Sequence, residues 1–186
     1  MEKIKRFEDI HLSPETMGEA GIENEVSFSP EIMAEVFKDK GLEVRKPFSV
    51  RYVVEREEDS DTVHAHIDVT GEIEADCARC LEQVVYPVEL HLNTDYLPAT
   101  KDMAENLEEE RINSETGYYR KVIRLGEFII SELLLTIPLR FICDEDCRGL
   151  CAGCGANLNR EECRCEASVD PRLQKLKDLK DKFRRK

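Results

Sequence analysis

The chain has 186 residues, with 40 acidic side chains against 27 Lys and Arg and a net charge of -13, so the whole molecule is not a simple phosphate binder. Hydrophobic content of 41% supports one ordinary core plus a small appended module, while 36% charged residues predict polar loops. The N-terminus MEKIKRFEDIH has no apolar signal core, and the run Phe128 to Ile142, broken by Ser131, Glu132, Pro138 and Arg140, is too polar to cross a bilayer. The expectation is therefore a cytoplasmic protein with no membrane partner.

Taken in order, residues 3–12 (KIKRFEDIHL) alternate loosely and read as an opening strand ended by Ser13-Pro14. Gly18 and Gly21 mark a turn-rich connection. Ser29-Pro30-Glu31 is a helix start, with Ile32, Val36 and Phe37 as its apolar stripe and Gly41 as its end; Val26 to Phe28 could instead continue a strand. From Pro47 to Leu97 the period changes to two. Phe48, Val50, Tyr52 and Val54 alternate with polar residues, as do Val63, Ala65, Ile67 and Val69; Gly71 predicts a bulge or bend. Val84, Tyr86, Val88, Leu90 and Leu92 continue the pattern after Cys77-Ala-Arg-Cys80-Leu, which falls at the turn between the last two strands. Pro87 suggests an edge strand or a bulge there. Residues 98–117 are acidic and poor in apolar side chains, which predicts a mobile solvated loop. Leu125 to Ile137 reads as the main helix packed on the sheet, stopped by Pro138. A terminal helix starts at Asp170-Pro171, with Leu173, Leu176, Leu179 and Phe183 as a narrow apolar stripe among lysines. The stretch 171–186 is locally +6, leaving -19 on the preceding 170 residues.

The fold class predicted is α+β: an antiparallel β-sheet meander packed by a helix, then a cysteine-rich zinc-knuckle module and a basic helix. The domains expected are 1–142, including the 98–117 loop, and 143–186.

Six of the eight cysteines lie between Cys143 and Cys165. In a reducing compartment such clustered pairs point to metal rather than to disulfides or a redox switch. Cys151-Ala-Gly-Cys154-Gly reads as a zinc knuckle, because two thiolates three residues apart can share one tetrahedral ion when glycines let the chain turn tightly. Two partitions are open. In one, Cys151, Cys154, Cys163 and Cys165 bind one zinc, and Cys77, Cys80, Cys143 and Cys147 bind a second. In the other, one zinc takes four of the six C-terminal cysteines and the Cys77/Cys80 pair stays free. The first is favoured, since exposed unpaired thiols are an oxidation liability.

No enzyme site is predicted. Closed sulfur shells leave no position for an activated water, and the chain has neither a Walker-type loop nor a GxSxG elbow. No small-molecule substrate is expected. His64 and His66 share a strand face and could chelate a metal, though alternation reads them as solvent-facing polar residues; His11 and His91 are isolated.

The C-x-R-C-L of Cys77 to Leu81, the Leu-x-Ile-Pro-Leu of Leu135 to Leu139, then C-x3-C-R-G-L-C-x2-C-G-A-N-L-N and a terminal C-x-C resemble the YceD family, the large ribosomal RNA subunit accumulation proteins. The resemblance covers roughly residues 45 to 180 and also takes in Asp170-Pro171-Arg172-Leu173. It implies a non-enzymatic factor for large-subunit rRNA accumulation, acting in ribosome assembly or rRNA protection. The eight cysteines carry over as its functional candidates, with Arg79, Arg148, Asn157 and Asn159 as motif residues. The two asparagines read as turn formers; the two arginines could contact phosphate or bridge to nearby carboxylates. The expected partner is the large-subunit precursor, through rRNA or a basic ribosomal protein. The alternative function is that of a zinc-thiol redox-sensing regulator.

Overall fold

The computed structural model describes residue 4 and residues 6–18, 21–99 and 116–165. The terminal helix expected from Asp170 and the acidic residues 100–115 lie outside the described residues. Among the described residues five strands and two helices follow one another as β1 (Ile22–Phe28), α1 (Pro30–Phe37), β2 (Phe48–Arg56), β3 (Val63–Asp76), β4 (Gln83–Pro98), β5 (Thr116–Tyr119) and α2 (Leu125–Thr136). They make an α+β fold. The chain forms two compact units, one from Met1–Ala75 and Gln83–Leu139, the other from Asp76–Glu82 and Arg140–Lys186.

In the larger unit the strands lie in the order β1-β2-β3-β4-β5. β1 pairs antiparallel with β2 from Ile22↔Val54 to Phe28↔Phe48, and β2 with β3 from Ser49↔Thr70 to Arg56↔Val63. Side-chain contacts His64–Asp95, His66–Asn93 and Asp68–His91 step in opposite directions along β3 and β4, so these two also run antiparallel. The period-two pattern is what makes this sheet one-sided. Phe48, Val50, Tyr52 and Val54 of β2 are buried with Val63, Ala65, Ile67 and Val69 of β3, while the alternate positions carry the polar residues.

Three expectations are corrected. The sheet is mixed, not purely antiparallel: β5 pairs parallel with β4 from Asp95↔Thr116 to Pro98↔Tyr119. Both ends of the 98–117 stretch thus belong to strands, and Ala99 adds a bond from its N–H to the Tyr119 carbonyl (2.7 Å). Composition hid β5, because its Thr-Gly-Tyr-Tyr follows a run of acids.

The opening strand is absent among the described residues of 3–12. Phe7–Asp9 instead form a single 3-10 turn, in which the Asp9 carboxylate accepts the Arg6 N–H (2.9 Å). Only Leu12 makes a strand-like bridge, to Ile123. One edge of the sheet is instead β1, which runs directly into α1: the Ser29 carbonyl accepts the N–H groups of Ile32 and Met33 (both 3.1 Å), with Pro30 in the first turn.

Gly71, finally, makes no phase slip, since burial stays on odd positions from Val63 to Ala75. A Cβ there would lie 2.5 Å from the Phe48 ring, so the glycine makes room for that ring.

The core is continuous from helix to sheet. The Phe7 ring stacks on Phe28 of β1 at 4.0 Å between centroids, and Phe37 of α1 meets Phe48 of β2 at 6.0 Å. In α2, Leu125, Ile129 and Leu133 are fully buried at helical spacing. The start of α2 sits on the 3-10 turn, where the Gly126 N–H bonds the Ile10 carbonyl (3.0 Å). A Cβ on Gly126 would fall 1.7 Å from the Phe7 carbonyl oxygen. Relieving that overlap needs backbone movement under the Phe7–Phe28 stack. Gly126→Ala is therefore expected to destabilise the larger unit by about 3 kcal/mol, against the usual gain for Ala in a helix. Thermal unfolding by circular dichroism checks this, with a midpoint about 6–12 °C below the parent's.

Candidate metal centres

The second unit is built around sulfur. Its eight cysteines fall into two groups, Cys77 with Cys80, Cys143 and Cys147, and Cys151 with Cys154, Cys163 and Cys165; within each, the sulfurs all lie within 4.8 Å of one another. Nearest approaches in the first quartet are 3.5 Å (Cys80–Cys143) and 3.9 Å (Cys77–Cys147), and in the second 3.2 Å (Cys151–Cys163) and 3.5 Å (Cys154–Cys163). Four sulfurs around a tetrahedral ion at about 2.3 Å would be about 3.8 Å apart. Each quartet could hold a metal ion. Among the described residues no other group of His, Cys, Asp or Glu converges this way.

Local chain geometry explains why each CxxC pair faces one point. In Cys77-Ala-Arg-Cys80-Leu81, the Leu81 N–H bonds the Cys77 carbonyl (2.9 Å), and the Arg79 N–H points at the Cys77 sulfur (3.4 Å). In Cys151-Ala-Gly-Cys154-Gly155, the Gly155 N–H bonds the Cys151 carbonyl (2.8 Å), and the Gly153 N–H points at the Cys151 sulfur (3.3 Å). Both turns need a left-handed fifth residue. Gly155 has φ of 76° and Leu81 has φ of 59°, the latter a conformation that side chains avoid.

The partner cysteines arrive differently. Cys143 and Cys147 are separated by Asp144-Glu145-Asp146, where the Asp144 carbonyl accepts the Cys147 N–H (3.0 Å) and its carboxylate the Asp146 N–H (2.8 Å). The Cys143 N–H in turn points at the Cys77 sulfur (3.4 Å). Arg79 closes this first quartet. Its guanidinium donates to the carbonyls of Glu145 (2.9 Å) and Cys147 (3.0 Å), and its own carbonyl accepts the Leu150 N–H (3.0 Å). Gly149, with φ of 73°, lets this segment pass so close that a Cβ would be 2.9 Å from the Arg79 carbonyl. Arg79 thus staples the two halves of the quartet through backbone carbonyls.

The asparagines also do more than turn the chain. Asn157 accepts the Asn159 N–H on its side-chain oxygen (3.0 Å) and donates its amide to Glu82 (2.9 Å), which also pairs with Arg160. Asn159 accepts the Arg148 N–H (2.7 Å) and donates its amide to the Cys147 sulfur (3.2 Å). The bond between Asn157 and Asn159 is the local turn expected of them, but the other roles were not readable beforehand, since each joins residues 11 or more positions apart.

Burial differs between the quartets. Cys77, Cys80 and Cys147 are buried and Cys143 exposed, whereas Cys154 and Cys165 are exposed and Cys151 and Cys163 half-buried. In each, thiol acidity is split. Burial opposes charge on Cys77, yet the N–H groups of Arg79, Cys143 and Cys80 bring it down to about 6; Cys143, facing Cys147 and Cys80, is pushed up to about 12. Cys151 falls to about 6 through Cys163 and the N–H groups of Cys154 and Gly153, and Cys165, facing Cys163 and Cys154, rises to about 12. The first proton lost from each quartet makes the last harder to remove.

His64, His66 and His91 lie elsewhere, on the solvent side of the sheet. His64 contacts Asp95 (2.7 Å), His66 contacts Asn93, and His91 contacts Asp68 (2.6 Å), so His91 is not isolated. No helix of the described residues is long and apolar enough to cross a membrane.

Comparison with known proteins places this geometry. An uncharacterised Mycobacterium tuberculosis protein is 32% identical over 126 residues, covering 64% of this chain and 58% of its own length. A Mycobacterium leprae counterpart is 30% identical over 111 residues, 60% of this chain and 50% of its own. The chain thus spans little more than half the length of these relatives. A 45-residue match, 42% identical, links 24% of the chain to 14% of the Arabidopsis thaliana protein described as large ribosomal RNA subunit accumulation protein YCED homolog 1, chloroplastic. No solved structure gives a significant match. The family described as large ribosomal RNA subunit accumulation protein YceD matches residues 65–180, which take in all eight cysteines, and the chain belongs to that family.

Proposed function

We propose that this chain is a non-catalytic factor for accumulation of large-subunit ribosomal RNA, acting by binding during cytoplasmic ribosome assembly, with its cysteine-rich unit held by two zinc ions. The observation carrying the metal part is the sorting of all eight cysteines into two groups of four converging sulfurs. An all-thiolate set of four suits Zn2+, and a filled shell has no position for a reacting water, which favours a structural ion. The unit has few buried apolar side chains besides Phe141, so the ions would supply much of its stability, on the order of 10 kcal/mol each. The accumulation role rests on what the family is named for.

Charge bears on the partner. Four thiolates around Zn2+ leave about -2 per centre, taking the chain from -13 to about -17. A body of that charge favours a basic ribosomal protein of the large-subunit precursor as the direct contact. Any contact with rRNA would fall to the +6 stretch 171–186 and would weaken steeply with salt. A second reading, a zinc-thiol redox sensor, draws support from the exposure of Cys154 and Cys165.

Four outcomes test this reading. Protein isolated without chelator is expected to carry about two zinc ions per chain by elemental analysis, and Cys154→Ser about one. Both ions should be lost as pH falls. Each centre needs its thiols ionised, so affinity rises with pH throughout and collapses most steeply below about 6, where even Cys77 and Cys151 take up protons. Arg79→Ala should weaken the first centre more than the second, because it frees the Glu145–Cys147 segment; chelator competition would show zinc leaving in two separated phases. In cells depleted of the protein, a sucrose gradient with rRNA quantified should show less large-subunit rRNA and excess free small subunits. An unchanged profile would overturn the assembly role and leave the redox sensor.

A further inference from the structure

The residue touching the first quartet from outside comes from the loop of the second. Asn159 lies between Cys154 and Cys163, whose sulfurs are 3.5 Å apart, yet its amide donates to Cys147 (3.2 Å). The amide orientation is fixed, because its oxygen accepts the Arg148 N–H (2.7 Å) and only the NH2 group is left to face sulfur. The loop carrying it is shaped by the Asn157 side chain and held to Glu82 by Asn157 and Arg160. A hydrogen bond from outside the shell orients a ligand and stabilises its thiolate against protonation, which keeps the sulfur available to the ion. An ion on Cys154 and Cys163 would clamp both ends of the Asn159 loop and so hold that donor in place.

We propose that Asn159 couples the two quartets, so that filling the second tightens metal retention by the first. This rests on the two-centre reading above. By linkage the effect is reciprocal, so filling the first tightens the second by the same factor. Asn159 is a positioning residue, since it reaches the metal only through Cys147.

The test uses the full chain loaded with 113Cd2+, each centre followed by its own resonance while EDTA removes the metal. Asn159→Asp keeps the acceptor for Arg148 and removes the donor to sulfur. Asn159→Ala removes both without adding charge. Either change is expected to shift the first-centre resonance and speed its metal loss about tenfold, leaving the larger unit's amide spectrum unchanged. Cys154→Ser, which opens the second centre, should also speed loss from the first about tenfold, and combining it with Asn159→Ala should add nothing further. Unchanged first-centre loss in both Asn159 variants, or multiplicative effects in the double variant, would overturn the coupling. A parent chain taking up fewer than two equivalents would instead overturn the two-centre reading itself.

Discussion

Four sulfurs within 4.8 Å of one another repel as soon as more than one is ionised, and the second unit is organised around that repulsion. Part of the answer is local: backbone N–H groups of Arg79, Cys143, Gly153 and Cys165 aim at sulfur. They favour the charged form of some thiols over others, as the contrast between Cys77 and Cys143 shows. Neutralising the rest takes a cation. The architecture therefore makes sense as a container for positive charge inside a protein that is otherwise strongly acidic, and the short polar loops around it supply little packing of their own.

Much of this was legible in the residues, and the reason is locality. The alternation in β2 and β3, the Ser29-Pro30 helix start and the extent of α2 all depend on neighbours within a turn or a strand. So do the two CxxC turns, in the second of which the glycines at 153 and 155 announce a tight reversal. Other features depend on partners far along the chain. Loose alternation in residues 3–12 suggested a strand, but Phe7 and Ile10 face inward from a 3-10 turn because Phe28 and Gly126 wait there to receive them. The parallel pairing of β5 with β4 has no local signature at all.

The same distinction runs through the cysteines. Spacing identified pairs but left open which pairs combine, because Cys77 and Cys147 are joined only by the fold. Arg79 looked like a phosphate ligand or a salt-bridge partner since an exposed arginine in a short motif suggests charge recognition. Its neutral carbonyl partners, Glu145 and Cys147, sit 66 and 68 residues away. Asn159 looked like a turn former for a similar reason: the thiol it faces belongs to the other quartet.

The separation of these sulfurs along the chain sets an order of assembly. Cys151 and Cys163, 12 positions apart, can meet by closing a short loop, whereas Cys77 must wait for Cys147, 70 positions later. Loop-closure entropy alone makes the longer closure about 1.5 kcal/mol harder. During synthesis the β3–β4 turn leaves the ribosome with Cys77 and Cys80 already displayed, and no local sequence can complete their set. The near quartet is a product of short-range contact, whereas the far one, although its last cysteine precedes every cysteine of the near set, depends on the folding of the long stretch between Cys80 and Cys143.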